Sequence, residues 1–73
     1  MLADLGLGEE AVVCCIHDPQ LKLALLRIGL MEGDSVRLTE RAPMGGPLAF
    51  RVRGGKVAMR KADAARVKIK RTA

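Results

Sequence analysis

Residues 48–53, Leu48-Ala49-Phe50-Arg51-Val52-Arg53, alternate large apolar side chains with small or charged ones. Pro43-Met44-Gly45-Gly46-Pro47 precedes this run and Gly54-Gly55 follows it. A period of two belongs to a half-buried strand, where successive side chains point to opposite faces. Neither flanking segment suits the interior of a regular element, so both are loops or turns. Gly54-Gly55 can supply positive φ at both positions of a two-residue turn, which predicts a tight hairpin. The returning strand alternates Val57 and Met59 with Lys56, Ala58 and Arg60. Short, half-buried strands dominate this chain.

The remaining segments fit the same picture. Glu10 to His17 is rich in Val and Ile, lies between Gly8 and Pro19, and reads as a strand. Asp18-Pro19 is an N-cap followed by proline at the first helical position. Leu21, Ala24, Leu25 and Ile28 follow at i, i+3, i+4 and i+7, one stripe of a helix of about three turns. Gly29 stands where a glycine ends such a helix. Met31-Glu32-Gly33-Asp34 is a turn, and Val36 and Leu38 mark a third half-buried strand. Lys61 to Ala65 forms one helical turn, and Val67 and Ile69 lie on a last strand. Leu2, Leu5 and Leu7 form an N-terminal lead-in that caps the core from outside. The expected fold is mainly β: a single domain, residues 1–73, built as a five-stranded, partly open barrel with one short helix inserted after the first strand.

Composition removes several functions. The chain has no Trp, no Tyr and one Phe, which excludes a surface that stacks nucleic-acid bases on aromatic rings. Its apolar stretches fall far short of the roughly 20 residues that span a bilayer. No secretory leader pattern is present, so a cytoplasmic location without membrane insertion is expected. The +5 net charge is unevenly spread. Residues 1–50 carry four basic groups against seven acidic ones, a net −3, while residues 51–73 carry nine against Asp63, a net +8. Such asymmetry marks either a basic face for an acidic partner or a solvated surface with a frayed basic end. A basic RNA-binding barrel follows from the first reading, although the chain has no recognition helix for specific nucleic-acid readout.

Catalysis finds no constellation. His17 is the sole histidine and Ser35 the sole serine, and a triad needs nucleophile, base and orienter together. Cys14, Cys15, His17 and Asp18 place four ligand-capable residues within five positions. On an extended strand their side chains splay, Cys14 and Cys15 face opposite ways, and only Cys15 shares a face with His17. Zinc sites draw on spacings that let the chain wrap one ion. The expectation is therefore no metal and no cofactor, with reduced thiols; any binding by Cys14, Cys15 and His17 would be weak and need ligands from elsewhere.

An interaction surface is the better candidate. With the Leu21 stripe facing the barrel, Leu23 points away and Leu26 lies on the flank. Together they form an apolar patch for a partner or a second copy of the chain. The competing reading folds Leu2, Leu5 or Leu7 over them. Met44, with Gly45 and Gly46 in the Pro-framed loop, is the second contact candidate, because methionine adapts to varied surfaces.

These residues resemble a known family. Leu25-Leu26-Arg27-Ile28-Gly29-Leu30-Met31-Glu32-Gly33-Asp34-Ser35-Val36 is similar to the L-x-E-L-G-L-x-P-G-x-x-V segment of the FeoA family. Pro43-Met44-Gly45-Gly46-Pro47-Leu48 resembles its P-x-G-D-P-hydrophobic loop. Arg51-Val52-Arg53-Gly54, Val57-Ala58-Met59-Arg60, Ala64 and Val67 resemble its closing hairpin and last strand, and Gly8-Glu9 with Val13 and Ile16 its opening strand. Ile28, Glu32 and Gly46 depart from the family's Leu, Pro and Asp. The resemblance implies an SH3-like barrel with an inserted helix. It also implies an accessory role in bacterial ferrous-iron uptake, through binding the membrane transporter FeoB on its cytoplasmic side. It carries over no catalytic or metal-ligating residue. The same small barrel occurs as the C-terminal domain of iron-dependent transcriptional repressors, which gives a second expectation.

Overall fold

The computed structural model describes residues 1–71. Asp18 opens the first helix as the sequence predicts: its Oδ1 accepts from the N–H groups of Gln20 at 2.9 Å and Leu21 at 3.3 Å. Pro19 takes the first turn, and α1 runs Pro19–Arg27. At the other end Gly29 adopts φ 100°, a conformation that costs a side-chain-bearing residue roughly 1–2 kcal/mol. The Gly29 N–H then donates to the Leu26 carbonyl at 3.2 Å and the Leu30 N–H to that of Leu25 at 2.9 Å, the paired bonds of a Schellman motif.

This early stop changes what the helix buries. Only Leu21 and Leu25 of the expected stripe are in the core; Ala24 and Ile28 are exposed. Ile28 caps the helix with non-helical ψ 4°, so the i+7 position has left the helical repeat. Leu30, beyond the glycine, is the next buried residue instead. The single methyl of Ala24 has little apolar area to gain by burial.

Five strands form one antiparallel sheet: β1 Glu10–Cys15, β2 Ser35–Arg41, β3 Leu48–Val52, β4 Gly55–Met59 and β5 Lys68–Arg71. Their order is β4-β3-β2-β1-β5, and among the described residues no ladder joins β4 to β5. The sheet is therefore open along that seam. A one-turn helix, α2 Lys61–Ala64, links β4 to β5. Inward positions match the period-two reading: Val36 and Leu38, then Leu48, Phe50 and Val52, then Val57 and Met59 are all buried.

Three local details depart from expectation. β1 ends at Cys15, two residues before His17, because the Ile16 N–H is taken by Glu32 Oε2 at 2.8 Å. The β3–β4 hairpin pairs Val52 with Gly55, so its turn is Arg53-Gly54, one residue earlier than the glycine pair suggests. Arg53 carries the positive φ, 49°, and neither Gly54 nor Gly55 does. The N-terminal leucines divide: Leu2 and Leu5 belong fully to the core, whereas Leu7 is exposed. A single 3₁₀ turn, Leu2–Asp4, brings them in. It is held by the Leu2 N–H on the Val67 carbonyl and by the Arg41 guanidinium on the Leu5 carbonyl, each at 2.8 Å.

Asp34 is the one charged residue in the buried set. Its Oδ2 accepts from the Met31 N–H at 2.9 Å, and its Oδ1 lies 3.3 Å from Arg53 Nε. The Asp34 N–H donates to the Met31 carbonyl, with Gly33 at φ 94° closing the turn, and its carbonyl accepts from Val13. One carboxylate thereby ties the α1–β2 turn to the tip of the β3–β4 hairpin.

Candidate interaction surface

Leu23 and Leu26 both stand about half exposed, at 51% and 50%. Leu2 and Leu5 are committed to the core, so they do not fold over these side chains, and Leu7 is itself exposed. Ile28 and Met31, which flank the helix-ending glycine, are exposed to a similar degree. Sequence reasoning assigned Ile28 to the core and Met31 to an unremarkable turn. The signal that could have corrected both was Gly29, which ends the helical repeat before Ile28 can follow it inward.

Leu26 and Met31 line a recess of about 260 Å³ together with Leu30 and the paired side chains of Lys22 and Glu32. Its floor and sides are chiefly hydrocarbon, and one rim is an ion pair: Lys22 Nζ lies 3.2 Å from Glu32 Oε1. The bond from the Ile16 N–H, followed by that from Lys22, holds the Glu32 carboxyl below its ordinary value of 4.5. Glu32 stands where the family pattern has proline. Here it replaces conformational stiffening by hydrogen bonds that fasten the recess to the end of β1. Leu23 does not line this recess but lies three residues from Leu26, on the same helical face.

The second predicted element is the β2–β3 loop. The Ala42 N–H donates to the Pro47 carbonyl at 3.1 Å and the Gly46 N–H to that of Pro43 at 3.2 Å, closing the loop into a knuckle. Met44 at its tip is fully exposed with φ 58°, and Gly45 follows at φ 75°. Gly46 is required for space. A Cβ there would lie 2.7 Å from the Ala42 Cβ and 3.3 Å from the Pro43 carbonyl oxygen. The aspartate of the family pattern therefore has no room in this loop. Residues beside the knuckle, Glu40, Ala42, Pro43 and Pro47 among them, line a shallow recess of about 390 Å³ that is separate from the one beside Leu26.

The basic C-terminal third is largely spent on ion pairs. Arg53 meets Asp34, Lys56 meets Glu40, Arg60 meets Asp63, Arg66 meets Asp18 and Arg71 meets Glu9. Four of those five acids come from residues 1–50, so the acidic part of the chain offsets some of the C-terminal charge across the fold. The segment 68–71 is a strand, not a frayed end. On the outer sheet face Arg37, Arg51 and Lys56 are successive cross-strand neighbours, with Arg37 3.9 Å from Glu10 and Lys56 on Glu40. Apart from Arg53–Asp34, whose acid is buried, these pairs join exposed or part-exposed side chains and contribute little to stability, about 0–1 kcal/mol each.

Among the described residues, Cys14, Cys15 and His17 included, no group of three or more His, Cys, Asp or Glu side chains is placed to hold an ion. The expectation that the two cysteines face apart is wrong. β1 shifts register against β5 between Val13 and Cys15, and this bulge brings the two Sγ atoms to 2.7 Å. The bond to Cys14, with some burial and the nearby Glu32 charge, raises the Cys15 thiol above its ordinary 9.0.

Comparison with known proteins points one way. The family model of the FeoA domain matches residues 1–71. The FeoA protein from Chlorobium tepidum superposes with TM-score 0.87 at 26% identity, over 99% of this chain and 70% of that one. FeoA from Stenotrophomonas maltophilia superposes with TM-score 0.77 at 30% identity, over 94% and 87%. That protein was solved with zinc and is described as a procaryotic SH3 domain protein and a candidate activating factor for ferrous iron transport. A manganese-dependent transcriptional repressor shares the fold alone: TM-score 0.84 at 19% identity, over 97% of this chain and 40% of the repressor. Proteins of curated function give no match.

Proposed function

This chain belongs to the FeoA family, and on that premise we propose that it serves bacterial ferrous-iron uptake as a non-enzymatic accessory protein, binding the cytoplasmic side of the transporter FeoB. The observation that carries the reading is the apolar surface at the end of α1. Leu23, Leu26, Ile28 and Met31 are all substantially exposed around a recess of about 260 Å³. A chain of this size has little apolar side chain to spare, and a cluster of such residues outside the core marks a contact surface. Met44, Gly45 and Gly46 present a second contact point on a loop closed by its own hydrogen bonds. Binding alone changes nothing: the contact must favour one conformation of the transporter over another.

Co-purification with the transporter tests the assignment. Leu26→Asp and Met44→Asp replace exposed side chains, so both variants should fold like wild type. Retention of the transporter should fall at least ~10-fold for Leu26→Asp, the effect of losing about 1.4 kcal/mol of contact. Undiminished capture by both variants would rule out these surfaces. The repressor-like reading rests on fold similarity alone and makes neither surface special.

A further inference from the structure

We propose that Cys14 and Cys15 form a reversible oxidation site, closing to a vicinal disulfide by exchange with low-molecular-weight disulfides. Three observations meet here. The sulfurs lie 2.7 Å apart, closer than unbonded sulfurs ordinarily sit and longer than the ~2.05 Å of a disulfide. Cys14 is exposed and Cys15 half-buried, so a small oxidant reaches the pair. Cys14 is also the extra residue of the bulge: β5 offers partners to Val13 and Cys15 but none to Cys14, and the β1–β2 ladder ends at Val12. The peptide between the cysteines can therefore twist without removing a ladder partner.

The chemistry balances in two exchanges. The Cys14 sulfur attacks RSSR, forming Cys14–S–S–R and releasing one RSH. The Cys15 sulfur then attacks the Cys14 sulfur of that mixed disulfide, closing the bridge and releasing a second RSH. The thiol protons leave with the two RSH, RSSR takes up two electrons, and the cysteine pair gives them up. Neighbouring Cα atoms are only ~3.8 Å apart across a trans peptide, below the ~4.4–6.8 Å usual for disulfides. The closed bridge is thus strained, and strained bridges are the readily reduced, regulatory kind. Cys14 is the more exposed of the two, so its sulfur is the one that meets RSSR and attacks first.

The test uses the reduced full chain, incubated without oxygen in oxidised glutathione and followed by intact mass and thiol titration. Wild type should become a monomer lighter by two hydrogens with no titratable thiol, and excess reduced glutathione should restore it. Cys14→Ser and Cys15→Ser should each stop at the glutathione adduct, accumulating it at least ~10-fold above wild type because the neighbouring thiol is missing. Closure in the folded chain should run ~10-fold faster than in concentrated urea, where the bulge is gone. A stable adduct on wild type, disulfide-linked dimers, or equal closure rates with and without urea would each overturn the proposal. None of these readouts depends on the transporter.

Discussion

Removing the Asp34 carboxylate by Asp34→Ala should be the most damaging single change outside the apolar core. Two interactions are lost. The Met31 N–H, part-buried, loses an acceptor at 2.9 Å, and a hydrogen bond to a charged group contributes about 1.5–3 kcal/mol. Arg53 loses its partner at 3.3 Å, but its side chain is 76% exposed, so that loss is about 0–1 kcal/mol. The sum is about 2–4 kcal/mol against a total stability of roughly 4–11 kcal/mol for a chain of this length. Thermal unfolding followed by circular dichroism should show a Tm lower by about 10–25 °C. Asp34→Asn retains an acceptor for Met31 and should recover more than half of this. Arg53→Gly loses the same ion pair but relieves a left-handed residue, so it should fall within about 1 kcal/mol of wild type. If Arg53→Gly proves as damaging as Asp34→Ala, the ion pair and not the turn carries the effect, and the reasoning is refuted.

Other expectations follow from single contacts. Gly46→Ala forces a Cβ against Ala42 and should destabilise by about 1–3 kcal/mol in urea unfolding; an unchanged midpoint would mean that the knuckle yields freely. The carboxyls of Glu9, Glu32 and Glu40 are held low by the Gly6 N–H, the Ile16 N–H and Lys56 respectively. Their contribution to stability is complete above the ordinary value of 4.5 and is lost as pH falls through the lowered folded values, so the unfolding free energy should decline in acid below about pH 4.5. Glu32→Gln should flatten part of that decline. Since most C-terminal cations are already paired, an RNA mobility-shift assay should show no complex at low salt; a complex that dissolves steeply with added salt would favour the RNA-binding barrel instead.

The strand pattern was legible because Leu48, Phe50, Val52, Val57 and Met59 each had one face to choose and bounded segments in which to choose it. The helix was legible at its ends, where Asp18, Pro19 and Gly29 act through local backbone geometry. Its buried face was not. Whether Ala24 or Ile28 faces inward depends on how much core is already filled, and Leu2, Leu5 and Leu30 fill it from elsewhere in the chain. The hairpin turn slipped by one residue because two adjacent glycines leave the register to cross-strand packing, and the pairing of Val52 with Gly55 decides it. The bulge at Cys14 had no signal in the local sequence, since it arises from how β1 fits β5. Leu23, Leu26 and Met44 were identified correctly as exposed, while Ile28 and Met31 joined them only once the helix end was known.

The claim that this family member works by contact at the end of α1 is tested most directly by the initial rate of ferrous-iron uptake in cells that carry the transporter and have this chain replaced by Leu26→Asp. With the variant present in normal amount and normally folded, uptake should match that of cells lacking the chain altogether. Uptake equal to wild type under those conditions would contradict the account.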